Sequence, residues 1–370
     1  MNQRVIISEN IEKELEKALA ECEHDKVFIL TDTTTRKLCL QKIVTFPCLS
    51  DANVITIEPS DTHKDLHSLA HVWTALGSGG ATRHSCLINL GGGMVTDLGG
   101  FAASTFKRGI NFINIPTTLL AMVDAAVGGK TGINFGGLKN EVGAFANARY
   151  VIVNTCFLDT LDTANLCSGY AEMLKHSLIS NAQMWAEHVN FDILQPDLAE
   201  LQRMVAASIA VKEHIVADDP HEHGIRKALN FGHTIGHALE EFSMQQPGGA
   251  VVSARLLPLA RARTAPKNTL LHGYAVAFGL IGELYISARK AGFPTARLHQ
   301  TARFIRENYG AVAFTCDDYP TLLNLMRHDK KNTSDTINFT LLHDIGDIRI
   351  NQTATDEEIR EALDFIREGY

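Results

Sequence analysis

Histidine and acidic side chains in the second half of the chain have the types and spacing that a metal site needs. His233 and His237 lie four residues apart in the segment NFGHTIGHALE, which places both on one face of a helix. Two imidazoles at this spacing can reach one divalent cation, and a pair of ordinary helical histidines is the alternative interpretation. Glu172 and His272 are further candidates. A glutamate with two histidines leaves an open metal position, which suits the polarisation of a hydroxyl or carbonyl group.

The stretch from residue 90 to residue 140 carries glycines and cations that suit a phosphate-binding site. Gly91–Gly93 follow an apolar run, and backbone N–H groups between a strand and a helix can approach a phosphate closely. The triplet lacks the G-x-G-x-x-G spacing of the dinucleotide fingerprint, so an ordinary turn is the alternative. Four cations follow against two acids, Asp97 and Asp124; the cations are Lys107, Arg108, Lys130 and Lys139. This arrangement indicates a site for two anionic groups, a cofactor pyrophosphate and a substrate phosphate.

The first half of the chain alternates between strand-like and helical patterns. Strands are predicted for residues 26–32, 54–57, 86–90 and 112–115, and the first and third of these are interpreted as buried. Strands separated by helical stretches imply right-handed crossovers and a parallel sheet. Ligands of such sheets bind beyond the carboxyl ends of the strands, where Asp32 and Gly91–Gly93 would lie. We therefore predict an α/β, Rossmann-like nucleotide-binding domain over residues 1–160.

From about residue 160 onward the apolar residues recur at helical spacing. The clearest helical patterns cover 171–175, 197–217 and 273–290, and 337–342 alone is predicted to be extended. We predict a second, mainly α-helical metal-binding domain over residues 161–370. Residues 243–270 contain four cations, three prolines and no acid, and we interpret them as an insertion loop at the surface.

Composition limits the classes of partner. The net charge of −8 argues against a general nucleic-acid or membrane binder, because such proteins carry a basic face or tail. Seven scattered cysteines without a C-x-x-C pair favour a reducing compartment over a disulfide framework. The first residues are too weakly apolar for a signal peptide, and no window approaches a membrane span. We expect a cytoplasmic protein with no nucleic-acid and no membrane partner.

Nine motifs occur along the chain in one order. They are GGGMVTD, KRG, IPTTLLAMVD, VGGKTGIN, GLKN, GYAEMLK, NFGHTIGHALE, LLHGYAVAFG and MRHDKKN. From about residue 26 to about residue 345 the chain thereby resembles the 3-dehydroquinate synthases, a family of sugar phosphate cyclases. The resemblance implies an N-terminal domain that binds NAD and a C-terminal helical domain that binds a divalent metal, Zn²⁺ or Co²⁺. It also implies a homodimer.

The resemblance further implies which residues form the site. The metal ligands would be Glu172, His233 and His272, and His237 would contact the substrate instead of the metal. Arg108 would act in the site of the neighbouring subunit, and Lys330 or Lys331 would face the substrate. The other positions implied for catalysis and substrate binding are Asp124, Lys130, Asn140, Lys175, Lys212, Arg226 and Asn230. The positions implied for the cofactor are Asp32, Asp61, Lys64, Gly92, Gly93, Asp97, Thr117, Thr118, Lys130, Lys139 and Thr160.

The implied reaction is a carbon–oxygen lyase reaction on a small phosphorylated sugar acid, 3-deoxy-arabino-heptulosonate 7-phosphate. NAD oxidises one hydroxyl, phosphate is eliminated, the hydride returns, and the opened ring closes by an intramolecular aldol step to 3-dehydroquinate. NAD would thus be recovered unchanged. Two alternatives remain within related architectures, which are another sugar phosphate cyclase and a metal-dependent polyol dehydrogenase. A catalytically inactive NAD-binding scaffold is a third alternative, of a different class.

Overall fold

The computed structural model describes residues 3–245, 269–328 and 336–368, so Lys330 and Lys331 lie outside the described residues. The chain divides into two compact units. The first unit comprises Met1–Asp162 and Asp197–Glu213, and the second comprises Thr163–Pro196 and His214–Tyr370. The return of the chain to the first unit over Asp197–Glu213 has no signal in the sequence pattern.

Strands and helices alternate in the first unit. In chain order they are β1 (Arg4–Ile7), α1 (Ile11–Glu21), β2 (Val27–Asp32), α2 (Thr33–Leu38), β3 (Asn53–Ile57), α3 (Leu66–Ser78), β4 (Cys86–Gly91), α4 (Gly93–Thr105), β5 (Asn111–Pro116), β6 (Lys130–Phe135), β7 (Leu138–Phe145) and β8 (Tyr150–Val153). Among the described residues, six of these strands form one parallel sheet in the order β1-β8-β5-β4-β2-β3. The predicted parallel α/β architecture is confirmed.

The sheet is buried along its central strands, as its sequence predicts. Every residue of β2 and of β4 is buried, which is expected when helices cover both faces of a parallel sheet. The chain connects β2 to β3 on one side and β4 to β5 on the other, so the strand order reverses between β2 and β4. Crevices at such reversals are where open α/β sheets bind their ligands.

The ribbon formed by β6 and β7 was not predicted from the sequence. The two strands pair antiparallel, with Gly132 opposite Gly143. A Cβ on Gly143 would lie 2.2 Å from the carbonyl oxygen of Thr131, so the two strands approach too closely there for a side chain. The residues of β7 are almost all exposed. Such a strand lacks the apolar alternation by which strands are identified in a sequence.

Helices dominate the second unit. The elements from the end of the first sheet onward are α5 (Thr163–Leu178), α6 (Ala182–Asn190), α7 (Leu198–Asp218), α8 (His233–Gln245), α9 (His272–Lys290), α10 (Thr295–Tyr309), α11 (Tyr319–Arg327), β9 (Asn338–Asp344), β10 (Asp347–Thr353) and α12 (Asp356–Glu368). Most of α7 belongs to the first unit, and the others belong to the second. Helix α9 is buried along almost its whole length. The extended segment predicted near residue 340 is β9, which pairs antiparallel with the unpredicted β10. Within the described residues, none of the helices is long and apolar enough to span a bilayer.

The predicted insertion over residues 243–270 requires a correction at both ends. Residues 243–245 are the last turn of α8, and the Ser243 hydroxyl accepts a hydrogen bond of 3.0 Å from the backbone N–H of Leu270. Both side chains are buried. These end residues therefore belong to the packed part of the second unit, and residues 246–268 lie outside the described residues.

Candidate active site

Three helices of the second unit bring a carboxylate and two imidazoles together. Glu172 lies on α5 and is fully buried, and His233 and His272 are the first residues of α8 and α9. Oε1 of Glu172 lies 3.4 Å from Nε2 of His233 and 3.3 Å from Nε2 of His272. This oxygen has no hydrogen-bond partner among the described residues. The three ligand atoms lie within 4.8 Å of one another.

Neighbouring acceptors determine which imidazole nitrogens face Glu172. Nδ1 of His233 lies 3.1 Å from the carbonyl oxygen of Phe231, which can only accept, so this nitrogen carries a proton. Nδ1 of His272 donates in the same way to Oε2 of Glu240 at 3.1 Å. In both rings Nε2 is therefore the nitrogen available to a metal, in the orientation that such hydrogen bonds maintain in metal sites.

The separations fit a zinc-sized cation. Two ligand atoms that are each about 2.0–2.1 Å from one tetrahedral zinc ion lie roughly 3.3–3.4 Å apart. The two distances from Glu172 to the histidines have this length. They are longer than a usual N–H···O hydrogen bond of about 2.7–3.2 Å. Glu172, His233 and His272 therefore fit a bound divalent metal better than they fit a hydrogen-bonded cluster.

The electrostatics of the three groups differ. Burial raises the pKa of Glu172, but the positive charge of Lys175 acts against burial, and the pKa lies well below its usual range. Burial lowers the pKa of His233 to about 3, so this imidazole is neutral, as a metal ligand must be. Burial also acts against a charged His272, but Glu240 and Glu172 outweigh it and raise the pKa of His272 to about 10. A metal ion that binds here must therefore displace the Nε2 proton of His272.

Two glycines allow the three helices to approach closely enough for this geometry. A Cβ on Gly273, next to His272, would lie 1.8 Å from the carbonyl oxygen of Ser168 on α5. Ser168 lies one turn before Glu172, and its hydroxyl accepts a hydrogen bond from the N–H of Gly273. A Cβ on Gly279 would lie 1.9 Å from the carbonyl oxygen of Gly232, the residue that precedes α8. Backbone contact without side chains thus sets the spacing of the ligand-bearing helices.

Several other predicted residues of the second unit surround this cluster. The Lys175 ammonium donates to Oε2 of Glu172, and both side chains are buried. The His237 ring lies 5.2 Å from the His233 ring and 5.8 Å from the His272 ring, measured between centroids. His237 and Glu240 also form a second ligand group with His272. In that group the hydrogen bond from His272 already engages Glu240, so the group with Glu172 is the better metal site.

Asn230 and Arg226 lie on the turn that leads into α8. The Asn230 amide donates to Oε1 of Glu222 at 2.6 Å. Arg226 is buried, and its guanidinium donates to the carbonyl oxygen of Pro220 at 2.6 Å. The turn thereby holds an amide and a guanidinium within a few residues of His233 in the chain.

Lys64 is the centre of a second cluster, in the first unit. Its buried ammonium donates to Asp97 at 3.0 Å and to the side-chain oxygen of Asn140 at 2.5 Å, and it lies 3.4 Å from Asp61. Lys139 approaches the same Asp61 at 3.6 Å. Burial raises the pKa of Asp97 to about 6, although Lys64 acts in the opposite direction. Five residues implied for cofactor and substrate are thus brought together.

The carboxyl edge of the sheet carries the glycine motif and its partners. Asp32 ends β2, and its carboxylate accepts from the Thr35 N–H as the cap of α2. Gly92 caps α4 without a side-chain hydrogen bond, and a Cβ there would lie 3.1 Å from the methyl group of Thr118. Gly93 has a similar limit, because a Cβ there would lie 3.0 Å from Ala125. This narrow cradle at a helix N-terminus fits a pyrophosphate.

The remaining predicted residues of the first unit lie at separate places. Lys212 donates to the Asp124 carboxylate at 2.6 Å. The N–H of Thr117 donates to the carbonyl oxygen of Gly91, and the Thr160 hydroxyl donates to the carbonyl oxygen of Phe157. Lys130 begins β6, opposite Phe145.

Arg108 lies in an exposed turn after α4. Its φ of +70° and the +50° of Lys107 are both in the left-handed region, a conformation that costs a non-glycine residue free energy. Both residues line an open pocket of about 370 Å³ together with Arg83. The pocket is therefore cationic.

Sequence reasoning missed three glutamates of the second unit. Glu222 orients Asn230, Glu240 accepts from His272, and Glu283 accepts from backbone N–H groups before and within the first turn of α8. The partners of Glu240 and Glu283 lie 32 to 51 residues away. No local pattern signals such contacts.

Solved structures of other proteins share this fold. One is a 2-deoxy-scyllo-inosose synthase complexed with carbaglucose-6-phosphate, NAD⁺ and Co²⁺, with a TM-score of 0.81, 22% identity and coverage of 100% of this chain and 97% of that one. Another is the 2-epi-5-epi-valiolone synthase of Streptomyces hygroscopicus subsp. jinggangensis with NAD⁺ and Zn²⁺ bound (TM-score 0.80, 23% identity, coverage 100% and 98%). The fold is that of the sugar phosphate cyclases.

Sequence comparison narrows the class to one family. Residues 54–168 match the model of the 3-dehydroquinate synthase N-terminal domain, and residues 169–257 and 260–332 match that of the C-terminal domain. The 3-dehydroquinate synthase of Parabacteroides distasonis is 50% identical over 368 residues, covering 100% of this chain and 99% of that protein. That of Pyrococcus furiosus is 35% identical, with 90% of each covered. The chain belongs to the 3-dehydroquinate synthase family, whose enzymes depend on NAD and a metal and eliminate phosphate during cyclisation.

Proposed function

We propose that this enzyme converts 3-deoxy-arabino-heptulosonate 7-phosphate into 3-dehydroquinate and phosphate, with NAD as a recycled cofactor and zinc as the metal. The observation that carries the proposal is the convergence of Glu172, His233 and His272 at zinc-ligand separations. It occurs in a chain that is 50% identical over its full length to a 3-dehydroquinate synthase. When bound, the metal supplies Lewis acidity toward a substrate hydroxyl, and NAD supplies a hydride acceptor and donor.

The three metal-ligating residues have different tasks. Glu172 contributes one negative charge, which its contact with Lys175 keeps ionised in a buried position. His233 and His272 contribute Nε2, each fixed by a hydrogen bond on Nδ1. A carboxylate and two imidazoles hold Zn²⁺ and also accept Co²⁺, which prefers similar donors.

We propose that lysine side chains, each paired with a carboxylate of the protein, bind the anionic groups of the substrate. Lys175 and Lys212 would bind the substrate carboxylate and hydroxyls, and both ammonium groups are held in place by a carboxylate, Glu172 and Asp124 respectively. Their positive charges are thus fixed before the substrate arrives, which lowers the cost of ordering them on binding. His237 lies beside both metal-ligating histidines, and we assign it to a substrate hydroxyl.

Phosphate binding is assigned to Lys130, Asn140 and Arg226, and Asn230 is assigned to another part of the substrate. A guanidinium and an ammonium are the side chains best suited to a phosphate group. Burial of Arg226 and its bond to a backbone carbonyl fix the direction of its guanidinium. One lysine of the pair Lys330 and Lys331 is assigned to the substrate on its sequence motif alone.

The cofactor is assigned to the carboxyl edge of the parallel sheet. Gly92 and Gly93 would receive the pyrophosphate at the start of α4, where the glycines leave room for close approach. Asp97 and Lys64 form an ion pair beside this helix end. The further residues assigned to NAD are Asp32, Asp61, Thr117, Thr118, Lys130, Lys139 and Thr160.

The assembly and compartment are also proposals. We assign a homodimer in which each subunit contributes Arg108 to the site of the other, because Arg108 is exposed on a turn whose unusual backbone conformation presents it outward. The left-handed conformation at Lys107 and Arg108 is a cost that function would explain. A cytoplasmic location agrees with the seven cysteines, all within the described residues, which form no disulfide there.

The deciding experiment measures phosphate release from 3-deoxy-arabino-heptulosonate 7-phosphate with zinc and a trace of NAD, while absorbance at 340 nm reports NADH. We expect phosphate in large excess over NAD without accumulation of NADH. Release from a different sugar phosphate alone would favour another cyclase. Steady NADH production from a simple polyol would favour a dehydrogenase. A purified protein that binds no zinc would favour an inactive scaffold.

A further inference from the structure

Glu283 is a buried carboxylate that none of the assigned roles uses. It lies on α9, eleven residues after His272, and is fully buried. A carboxylate is rarely placed in a helical interior unless it is hydrogen-bonded, because an unpaired buried charge is strongly unfavourable. Its hydrogen-bond partners therefore indicate its role.

The partners are the backbone N–H groups at the start of α8. Oε2 of Glu283 accepts from Gly232 at 2.7 Å, and Oε1 accepts from Thr234 at 2.9 Å and from Ile235 at 3.3 Å. The first N–H groups of a helix have no partner within the helix and need a capping acceptor. Glu283 supplies that acceptor from a different helix. The residue between these donors is His233.

The residue that would ordinarily cap α8 cannot do so. Gly232 precedes His233, has no side chain and has a φ of +80°. A Cβ at this position would lie 2.7 Å from the side chain of Leu280, so a serine or aspartate does not fit. The helix therefore depends on an acceptor from elsewhere, and the close approach of α8 and α9 at Gly279 brings Glu283 within reach.

We propose that Glu283 is a positioning residue that fixes His233 for metal binding by holding the first turn of α8 from α9. The proposal rests on the assignment of Glu172, His233 and His272 as the metal ligands. A rigid link between α8 and α9 also fixes the distance between the two histidines, because His272 begins the helix that carries Glu283. Partners that orient a metal ligand typically contribute about 10- to 100-fold in metal affinity.

The test uses E283Q in the full-length protein. Glutamine is nearly the same size, but its NH₂ group cannot accept, so at least one of the three hydrogen bonds is lost and a donor faces a donor. The dissociation constant for Zn²⁺ is measured by competition with a chromogenic chelator. Visible absorption of the Co²⁺-substituted protein reports ligand geometry, and hydrogen exchange in metal-free protein reports the N–H groups of residues 232–235.

Ser287→Ala is the matched control on the same helix. Its buried hydroxyl donates to the carbonyl oxygen of Glu283 and accepts from the N–H of Leu342, so the variant loses buried hydrogen bonds without losing contacts to α8. We expect E283Q to weaken Zn²⁺ binding at least 10-fold, alter the Co²⁺ spectrum and speed exchange at residues 232–235, with NAD affinity unchanged. Ser287→Ala should lower stability alone.

Two results separate this inference from the assignment on which it rests. If E283Q binds Zn²⁺ within about twofold of wild type and its Co²⁺ spectrum is unchanged, Glu283 has only a structural role and the inference fails. If the wild-type protein and His272→Ala bind Zn²⁺ equally, the metal assignment itself fails. Glu283→Asp, which keeps the charge but withdraws it by one methylene, gives the same comparison if E283Q does not fold.

Discussion

The two carboxylate oxygens of Glu172 have different neighbours at the candidate metal site. Oε2 contacts Lys175, whereas Oε1 faces the two histidines at distances that suit a shared cation. The carboxylate therefore needs both neighbours. Without a metal, Oε1 is a buried acceptor with no hydrogen-bond partner among the described residues, which is costly in a protein interior. The metal is thus expected to contribute to the stability of the second unit as well as to catalysis.

Removing one ligand tests this assignment directly. His272→Ala should weaken Zn²⁺ binding by more than about 100-fold, since loss of a ligand exceeds the cost of losing a residue that only orients one. NAD affinity should stay within about twofold, because the residues assigned to NAD lie in the first unit. Zinc content and NAD titration are measured on the same preparation. His214→Ala, which removes an imidazole that is 79% exposed, is the control. If His272→Ala lost zinc binding and NAD binding equally, the assignment of the two sites to separate units would be contradicted.

The raised pKa of Asp97 predicts how the stability of the first unit changes with pH. Its folded pKa of about 6 lies above the ordinary value of 3.8, so the folded state holds the proton more tightly than the unfolded state does. Stability from this group is complete below pH 4 and is lost as the pH rises to 6, by at most about 3 kcal/mol. Asp97→Asn cannot titrate. Its free energy of unfolding, relative to wild type, should therefore increase between pH 4 and pH 7 in urea titrations.

The control for that comparison is Asp51→Asn, a substitution at an exposed position. Its difference from wild type should change far less over the same pH range. A flat difference for Asp97→Asn would show that Lys64 offsets the burial of Asp97 fully. Asp61 and Asp97 would then form simple ion pairs with Lys64.

Some residues of the site could be predicted from the sequence, and others could not. Spacing alone singled out His233 with His237, because four residues is the helical repeat, and the ligand set with Glu172 and His272 came from the family resemblance. Glu240 and Glu283 had no signal. A carboxylate that accepts from another helix looks in the sequence like any solvated acidic residue.

Close helix packing is what assembles the site at the scale of elements. Helices α5 and α9 meet through backbone atoms at Ser168 and Gly273, and each carries a candidate ligand within one turn of that contact. Interiors are close-packed, so even one added methyl group must displace a neighbour. Distances between the ligands therefore depend on residues that touch neither metal nor substrate.

Gly273→Ala should consequently damage the site from outside it. A Cβ 1.8 Å from the Ser168 carbonyl forces a backbone shift, which we expect to lower the free energy of unfolding by about 1–3 kcal/mol and to weaken Zn²⁺ binding. Chemical denaturation and zinc competition measure the two effects. Gly77→Ala is the matched control, because Gly77 lies in α3 and a Cβ there meets nothing within 4 Å. That variant should gain about 0.5–1 kcal/mol, and a similar gain in Gly273→Ala would disprove the close contact.

Elements with a strong apolar pattern were predicted, and those without one were not. Strands β2, β4 and β5 are largely buried runs bounded by turn residues, and helices α7 and α9 repeat apolar residues every three or four positions. The ribbon of β6 and β7 was missed because its β7 strand is nearly all exposed and its close pairing depends on opposed glycines. Pairing across a ribbon is a tertiary property, and single-sequence periodicity does not report it.

For the whole molecule, the assigned homodimer makes a quantitative prediction. Arg108→Ala and His272→Ala should each abolish phosphate release, one through the neighbouring site and one through its own. In a co-expressed mixture, half of the dimers are mixed, and one of their two sites has both residues intact. Activity should therefore return to roughly a quarter of the wild-type value. Phosphate release per total subunit measures it.

The two parent variants, each assayed alone and shown to be inactive before they are mixed, provide the baseline. Activity that stays at this baseline despite demonstrated subunit exchange would show that Arg108 serves its own subunit. Full activity in the Arg108→Ala parent would remove the residue from the catalytic machinery. The cationic pocket with Arg83 and Lys107 would then need another explanation.

The discontinuous first unit has a consequence for cutting the gene into pieces. Asp124 and its partner Lys212 belong to one unit, but 34 residues of the other unit, Thr163–Pro196, are encoded between Asp162 and Asp197. An expression fragment that stops near residue 160 would therefore contain the whole parallel sheet and lack Lys212. Chimeras that exchange this unit between relatives must carry two separate coding segments, and a transplant of the N-terminal piece alone would separate the ion pair of Asp124 and Lys212.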